Sequence, residues 1–457
     1  FSVSNDKGLE ISGFTVHSST TNELEEQIDR TYIGTNAIEN TSEFSLQENE
    51  LELYKFSLEY EPSEILQLEY NILLNKSDQY ENNDLTSMYG RQDNRMQETL
   101  EITRSQKPQS LNQEFKLYFT LADDHIFSFE AQHLDQEENP FSRAIRDRNP
   151  FTRLIPFSSS VNKYDVTQDR SVHTAKLEAK LDYYYLLNDT SNINLSLGVT
   201  DVRQDFDSSF FQILDSGSLL NFNDPTFNND VNFDFSDAYI ALNYRLRSGI
   251  FTIDPGLTLH YYKTKNTQLG TSFMRNISDV RPNLRINLQF KKSESLRLTY
   301  RKNTQFTDIN NLAEGFVFNN YNSIFQGNRE LEAAVVNNYN LNYRSINQFT
   351  FTNIFANANY SKRSNSIQSR ANINGIDAIR TSTNSNFPRE TYSLSGRIDK
   401  RFKNFKLNFS TRFNYSDFTN EVNNQIRNSK SLNQNYSASI ETNFRDKPNF
   451  EIGYKYN

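Results

Sequence analysis

Leu66-Gln67-Leu68-Glu69-Tyr70-Asn71-Ile72-Leu73-Leu74-Asn75 is the stretch that decides the fold. Leu66, Leu68, Tyr70, Ile72 and Leu74 share one parity, and Gln67, Glu69, Asn71 and Asn75 share the other. Alternate side chains on a strand point to opposite faces, so this strand has one apolar and one wet face. The split returns in Ala175, Leu177, Ala179, Leu181, Tyr183 and Tyr185 against Lys176, Glu178, Lys180 and Asp182. It returns again in Phe405, Leu407, Phe409, Phe413 and Tyr415 against Lys406, Asn408, Ser410, Arg412 and Asn414. Strands of soluble sandwiches usually run about 5–6 residues. These run to the ~9–11 residues that a tilted strand needs to cross a bilayer. The pattern predicts an all-β fold, an antiparallel transmembrane β-barrel. Leu68, Leu177, Leu195, Leu284 and Phe409 are predicted to meet lipid.

Composition narrows the function. The 457 residues include 36 Phe and 25 Tyr, yet mean hydropathy is -0.75. No run is apolar enough for a helical span, but in a barrel only every second strand residue meets lipid. With no Cys and five scattered His, thiol chemistry is excluded and no zinc motif is present. The net charge of -9 argues against a nucleic-acid partner, which calls for a basic footprint. No catalytic constellation, metal site or cofactor motif stands out. The chain starts at Phe1, without Met or signal peptide, and reads as processed or as a fragment.

Short turns recur at 61–63, 122–125, 188–192, 247–249, 291–295, 346–349, 400–404 and 445–448. Long polar segments separate them, at 77–91, 136–171, 204–235, 264–277, 304–334, 363–388 and 418–433. Outer-membrane barrels pair short periplasmic turns with long extracellular loops, so the connection lengths assign orientation. Eight hairpins and one strand near Gly8 to Thr20, ahead of a loop at 21–50, give about seventeen strands. Single-chain bacterial barrels have an even number, so the expectation is part of a larger barrel whose other strands lie outside 1–457.

One segment carries a family resemblance. Leu296-Arg297-Leu298-Thr299-Tyr300-Arg301 leads through a loop to Phe325-Gln326-Gly327-Asn328-Arg329-Glu330-Leu331-Glu332, then to Asn338-Tyr339-Asn340-Leu341-Asn342-Tyr343-Arg344. It resembles the barrel of TonB-dependent outer-membrane receptors, particularly the Bacteroidota type, in which a Gly-Asn-Pro-Asp-Leu-Lys-Pro-Glu loop joins two such strands. Gly327, Asn328, Glu330 and Leu331 match in kind. Arg329 and Ala333 stand at the two proline positions, and Ala334 at the Glu. The resemblance implies about 22 strands in the full protein, an N-terminal plug domain and contact with the TonB system through the N-terminal region. Neither plug nor TonB-contacting segment is legible here. The resemblance implies ligand uptake. The alternative is a barrel that docks a surface lipoprotein on its large loops. An outer-membrane enzyme is a third reading, without a visible site.

Arg281, Arg285, Arg297, Arg301 and Arg344 lie opposite the apolar parity and are predicted to face the lumen. They would pair with carboxylates of neighbouring strands or of a plug, or attract an anionic ligand, which Arg binds bidentately. Asp205, Asp207, Asp215, Asp224, Asp230, Asp234 and Asp237 interleave with Phe210, Phe211, Phe222, Phe227, Phe233 and Phe235. Solvated acids and a calcium site compete there, and the phenylalanines call for a loop packed on itself, on other loops or on a partner. In 135–153, Asp135, Glu137, Glu138 and Asp147 alternate with Arg143, Arg146, Arg148 and Arg153, which reads as self-paired charge or as an epitope. The basic turns at Lys291, Lys292, Lys400, Arg401, Lys403, Arg445 and Lys447 read as solvated turn chemistry or as contacts to anionic lipid.

Overall fold

The computed structural model describes residues 1–457 except 33–35, 92–93, 150, 152–153, 223 and 375–376. The first strands are β1 (Ser2–Ser4), β2 (Leu9–Tyr32), β3 (Ala37–Ser63), β4 (Leu66–Arg91), β5 (Asn94–Gln106), β6 (Gln109–Ala122), β7 (His125–Glu138), β8 (Phe141–Arg146) and β9 (Tyr164–Asn188). They continue as β10 (Ser191–Ile213), β11 (Leu219–Asn221), β12 (Asn228–Ser248), β13 (Phe251–Gln268), β14 (Thr271–Lys291), β15 (Glu294–Gln305), β16 (Phe316–Asn320) and β17 (Ser323–Gln326). The last are β18 (Ala334–Asn347), β19 (Thr352–Ser364), β20 (Ile367–Asn374), β21 (Asp377–Asn384), β22 (Arg389–Phe402), β23 (Phe405–Val422), β24 (Gln425–Thr442) and β25 (Glu451–Tyr456). One helical turn, α1 (Ile309–Leu312), sits between β15 and β16.

Antiparallel ladders join the wall in chain order. β5 and β6 together face β4 and act as one strand, broken at Pro108. β7 and β8 likewise face β9 across a break at Pro140. Proline donates no N–H, so each interrupts the ladder, yet its carbonyl still accepts from the neighbour: Ser77 N from Pro108 at 3.0 Å and Arg170 N from Pro140 at 3.0 Å. From β9 the wall runs through β10, β12, β13, β14, β15, β18, β19, β22, β23, β24 and β25. Seven of the eight expected short turns lie at their expected positions; the first falls at Glu64 and Ile65, just past 61–63, which still belong to β3, and β1 adds one strand to the expected set. Among the described residues no ladder joins β24 or β25 to β1 or β2.

The apolar parity faces outward. Leu177, Leu197, Ile240, Leu259, Leu394 and Phe409 are exposed on the wall; Leu68, Leu195 and Leu284 keep the same parity and are half-buried. A row of tyrosines bounds this band. Tyr300, Tyr339, Tyr360, Tyr392 and Tyr415, on five successive wall strands, touch in a row with ring centroids 4.8, 5.8, 4.7 and 6.0 Å apart, the middle two pairs stacked and the outer two tilted. Along β22 the outward residues run from Tyr392 to Phe402, about 33 Å of strand at ~3.3 Å per residue. Tilted by ~45°, that strand spans about 23 Å, close to the ~25 Å apolar band of outer-membrane barrels flanked by aromatic girdles.

The segments expected as long loops are largely strand. Residues 21–32 and 37–50 form the β2–β3 ladder, paired as far as Tyr32↔Ala37. Residues 77–91 belong to β4, and 264–277 and 418–433 are hairpin tips. Above the membrane both strand faces are wet, so alternation loses its contrast and polarity reads as loop. With only 14 Gly and 10 Pro in the chain, few breakers stop these strands.

The packed core lies at the extracellular end. Connections from four hairpins fold inward as a lid. β16 and β17 form a hairpin, β17 pairs in parallel with β21, and β20 reaches the wall at β23. Phe210, Phe222, Phe227, Phe316, Phe318 and Ile324 anchor one buried cluster; Phe206, Val231, Phe233, Ile309, Leu312 and Leu331 anchor a second. Phe206, Phe210, Phe222, Phe227, Phe233 and Phe235 thus pack in or against these clusters rather than stand in water, while Phe211 stays outside them.

Candidate functional site

Four of the five predicted lumen arginines are contiguous. Arg285 lies opposite Thr299 on β15, so Arg297 and Arg301 flank it as diagonal neighbours, about 7–8 Å between Cα atoms. Arg344 lies opposite Ser295 and is in turn diagonal to Arg297. The nearest carboxylate to this group is Asp254, 3.9 Å from Arg285, and Asp254 is already held bidentately by Arg245 at 2.8 and 3.3 Å. Arg297, Arg301 and Arg344 have no carboxylate within 4.0 Å among the described residues. Pairing with neighbouring strands therefore does not account for them.

Arg281 is different. Its Nε donates to Asp279 at 3.0 Å, one terminal nitrogen meets His260 Nε2 at 3.3 Å, and the other donates to the Thr304 carbonyl at 3.2 Å. Its guanidinium lies over the Tyr262 ring at 5.2 Å. His260 is fixed in turn by Asp237, 3.0 Å from Nδ1. This arginine is fully engaged and braces the wall. Arg245, Arg281, Arg285 and Arg301 together line a lumen recess of about 580 Å³ with Asn192, Asn194, Asn243 and Asn283. A second recess of about 450 Å³ holds Arg344, Arg397, Arg412 and Lys455.

The family-motif loop has a structural place. Gly327 N donates to Ala313 O at 2.7 Å and Asn328 N to Asn311 O at 2.8 Å, which locks the loop onto α1. A Cβ on Gly327 would strike the carbonyl oxygens of Asn311 and Ala313. Leu331 is buried in the second cluster, and Glu330 N donates to Asn328 Oδ1 at 2.9 Å. Arg329, at a proline position of the motif, clamps Glu314 at 2.7 Å through Nε and Thr271 Oγ1 at 2.6 Å.

The lid is held by polar side chains that sequence reading missed. Gln168 donates to Phe316 O at 2.8 Å and accepts from Phe318 N at 2.7 Å. Gln212 donates to Ser158 O at 3.2 Å and accepts from Ser158 N at 2.8 Å, and Gln268 donates to Leu312 O at 2.9 Å and accepts from Glu314 N at 3.0 Å. Each buried amide completes a backbone edge that would otherwise be orphaned. Tyr321 is a second clasp. Its hydroxyl donates to buried Glu39 at 2.6 Å, which also accepts from Tyr32 at 2.7 Å and Ser87 at 3.1 Å. Burial and then the Glu39 charge push the Tyr321 phenol well above its ordinary pKa, and burial with the Glu39 bond does the same to Tyr32.

Among the described residues the charges of 135–153 do not pair among themselves. Arg146 binds Glu98 bidentately at 2.8 and 3.0 Å and donates to the Tyr321 carbonyl. Arg148 binds Asp377 at 2.7 and 2.8 Å; burial opposes its charge, but Asp377 and Glu98 outweigh burial and raise its pKa. Arg143 grips Asp165 at 2.9 and 2.5 Å, and Asp147 accepts from Thr99. Arg153 lies outside the described residues. In 204–237, Asp224 caps a short turn through Thr226 N at 2.9 Å and Asp215 accepts from Asn162 N at 3.0 Å. Burial, then Asp230 and Asp205, raise the Asp207 pKa. Among the described residues no three His, Cys, Asp or Glu form a group able to hold a metal ion.

A membrane-spanning strand wall, a charged lumen and a folded extracellular lid together define a transmembrane β-barrel of the outer-membrane class. Residues 119–457 match the outer membrane protein beta-barrel family, and the chain belongs to that family; it resides in the outer membrane of a Gram-negative bacterium. Similar solved structures include the copper transporter OprC, with a TM-score of 0.54 and 11% identity over 98% of this chain and 73% of that one. The Serratia marcescens hemophore receptor HasR, solved with its hemophore HasA and heme, gives 0.51 and 11% over 99% and 74%. The ferric-catecholate import receptor Fiu from Escherichia coli K12 gives 0.53 and 10% over 99% and 71%. At these identities the likeness is one of fold. No curated protein matches the sequence.

Proposed function

We propose that the protein is a receptor barrel that takes up a scarce ligand across the outer membrane, driven by the TonB system through a plug-bearing N-terminal region. The observation that carries this reading is the lid over a charged lumen. A general porin needs an open aqueous channel, whereas here a packed core and buried polar clasps occupy the extracellular end. The solved barrels it resembles are named for copper, heme and ferric-catecholate ligands, which fits selective uptake of a scarce compound. Unpaired backbone edges are costly in lipid. The free edges of β2 and β24 are therefore proposed to be paired by further strands of a larger barrel, of the Bacteroidota receptor type.

A strain lacking the whole gene is compared with its parent on limiting haem, ferric chelates, cobalamin and glycans, each with TonB active and inactive. A defect on one nutrient, reproduced by loss of TonB, supports the reading; normal growth on all refutes it. A second reading has one observation in its favour. The β2–β3 ladder, with strands of 24 and 27 residues, extends far beyond the membrane band and offers a docking surface for a surface lipoprotein. Loss of a co-purifying lipoprotein without any uptake defect favours that alternative.

A further inference from the structure

We propose that the recess around Arg285 and Arg301 binds a small polyanion carrying two or more carboxylate or phosphate groups, which deepens the uptake reading and rests on it. Three guanidiniums, Arg285, Arg297 and Arg301, share one lumen patch, and among the described residues the one carboxylate within 4.0 Å of them is Asp254, beside Arg285 on β13 and already held by Arg245. Like charges held together repel, and the field is neutralised only by an anion from outside the wall. Arginine forks match carboxylate and phosphate oxygens in pairs, so the patch has the chemistry as well as the charge.

The surroundings are built rather than incidental. Asn243 Nδ2 donates to Asn194 Oδ1 at 3.3 Å, and Asn283 Nδ2 to Asn243 Oδ1 at 3.4 Å. This row of amides crosses β13 only because Gly256 stands there, since a Cβ would strike both Asn243 and Asn283. The row ends opposite Arg301, which pairs with Asn283 in the ladder. Arg281 and Arg245 are locked by Asp279, His260 and Asp254, so they shape the recess while Arg285 and Arg301 keep donors free. Its volume of about 580 Å³ falls within the range of small-molecule sites, about 300–1,000 Å³. A concave, amide-lined site of this size favours a small ligand over the acidic face of a protein domain, which would meet the wall across a broad surface.

The test uses the full-length protein, with the strands and plug proposed to lie outside 1–457, in detergent micelles and equilibrium dialysis with two probes, tricarballylate for carboxylates and pyrophosphate for phosphates. Saturable binding of either is expected, weakening with salt. Arg285→Gln and Arg301→Gln should each raise Kd by about tenfold or more. Arg203→Gln, on the extracellular part of β10, should leave Kd unchanged, and retention of heat-modifiable migration shows that each variant is folded. The probe bound more tightly tells which oxyanion the site prefers. Absence of saturable binding at millimolar concentrations assigns the arginines to an acidic protein surface and overturns the proposal, as does binding that survives both substitutions. Binding without any nutrient defect in the deletion strain would leave this site standing and remove the uptake reading, so the two fail separately.

Discussion

Replacing Gln168 with leucine should release the lid while leaving the wall intact. The side chain is fully buried, and its amide is the hydrogen-bond partner of both Phe316 O and Phe318 N on the outer edge of β16. Leucine fills a similar volume but offers neither donor nor acceptor, so two buried backbone groups lose their partners. Each costs about 1–3 kcal/mol, for a total of about 2–6 kcal/mol borne by the lid. Even the lower bound raises the local opening constant about thirtyfold. Hydrogen exchange on the full chain in micelles should show amides 316–326 exchanging faster by that factor, while amides of β22 and β23 keep the wild-type rate. Lid exchange within twofold of wild type would refute the clasp, and uniform acceleration across the wall would show that the lid is not a separate unit.

Leu394→Arg, on the lipid face between Tyr392 and Ile398, should destabilise the barrel in vesicles by about 2–4 kcal/mol, whereas Ser395→Arg on the lumen face should cost far less; denaturant titration of refolded protein separates them. Gly327→Ala should cost about 1–3 kcal/mol through overpacking against Asn311 and Ala313, seen as faster proteolysis within 306–333. The clasp should also respond to alkali. The Tyr32 and Tyr321 phenols are raised in the folded lid, so their contribution is full below the ordinary phenol value and is lost as pH rises above about 10. Protease resistance of 306–333 should therefore be flat near neutrality and fall in alkali, and a Tyr32→Phe, Tyr321→Phe double variant should lack that step.

How much was legible follows from where contrast survives. Inside the membrane one strand face is lipid and the other is wet, so Leu177 and Lys176 announce their sides, and all the short turns but the first, which lies at 64–65 rather than 61–63, fall where expected. The same alternation put Arg285, Arg297 and Arg301 on one face. Their grouping needed the β14–β15 register, which no single strand encodes. Above the membrane the contrast fades, and 21–50 and 77–91 were read as loop although 21–32, 37–50 and 77–91 are strand. The lid clasps were invisible for a related reason. Gln168, Gln212, Gln268 and Glu39 are ordinary polar residues until a loop 44 to 282 positions away supplies backbone groups or Tyr321 for them to hold. Arg146 and Arg148 stood out as charged, but their partners Glu98 and Asp377 lie on other elements. The phenylalanines of 204–235 did carry a signal, because so many rings in an acidic segment require burial.

The most direct test of the account is a cysteine scan along β15 from Leu296 to Arg301, which the absence of native Cys makes clean. Spin labels at each position, in lipid vesicles, are read for collision with oxygen dissolved in lipid and with a water-soluble nickel chelate. Oxygen access should peak at 296, 298 and 300, and chelate access at 297, 299 and 301, with period two. A flat profile, or one in which the arginine positions 297 and 301 are lipid-exposed, would contradict a barrel wall that turns its arginines into the lumen.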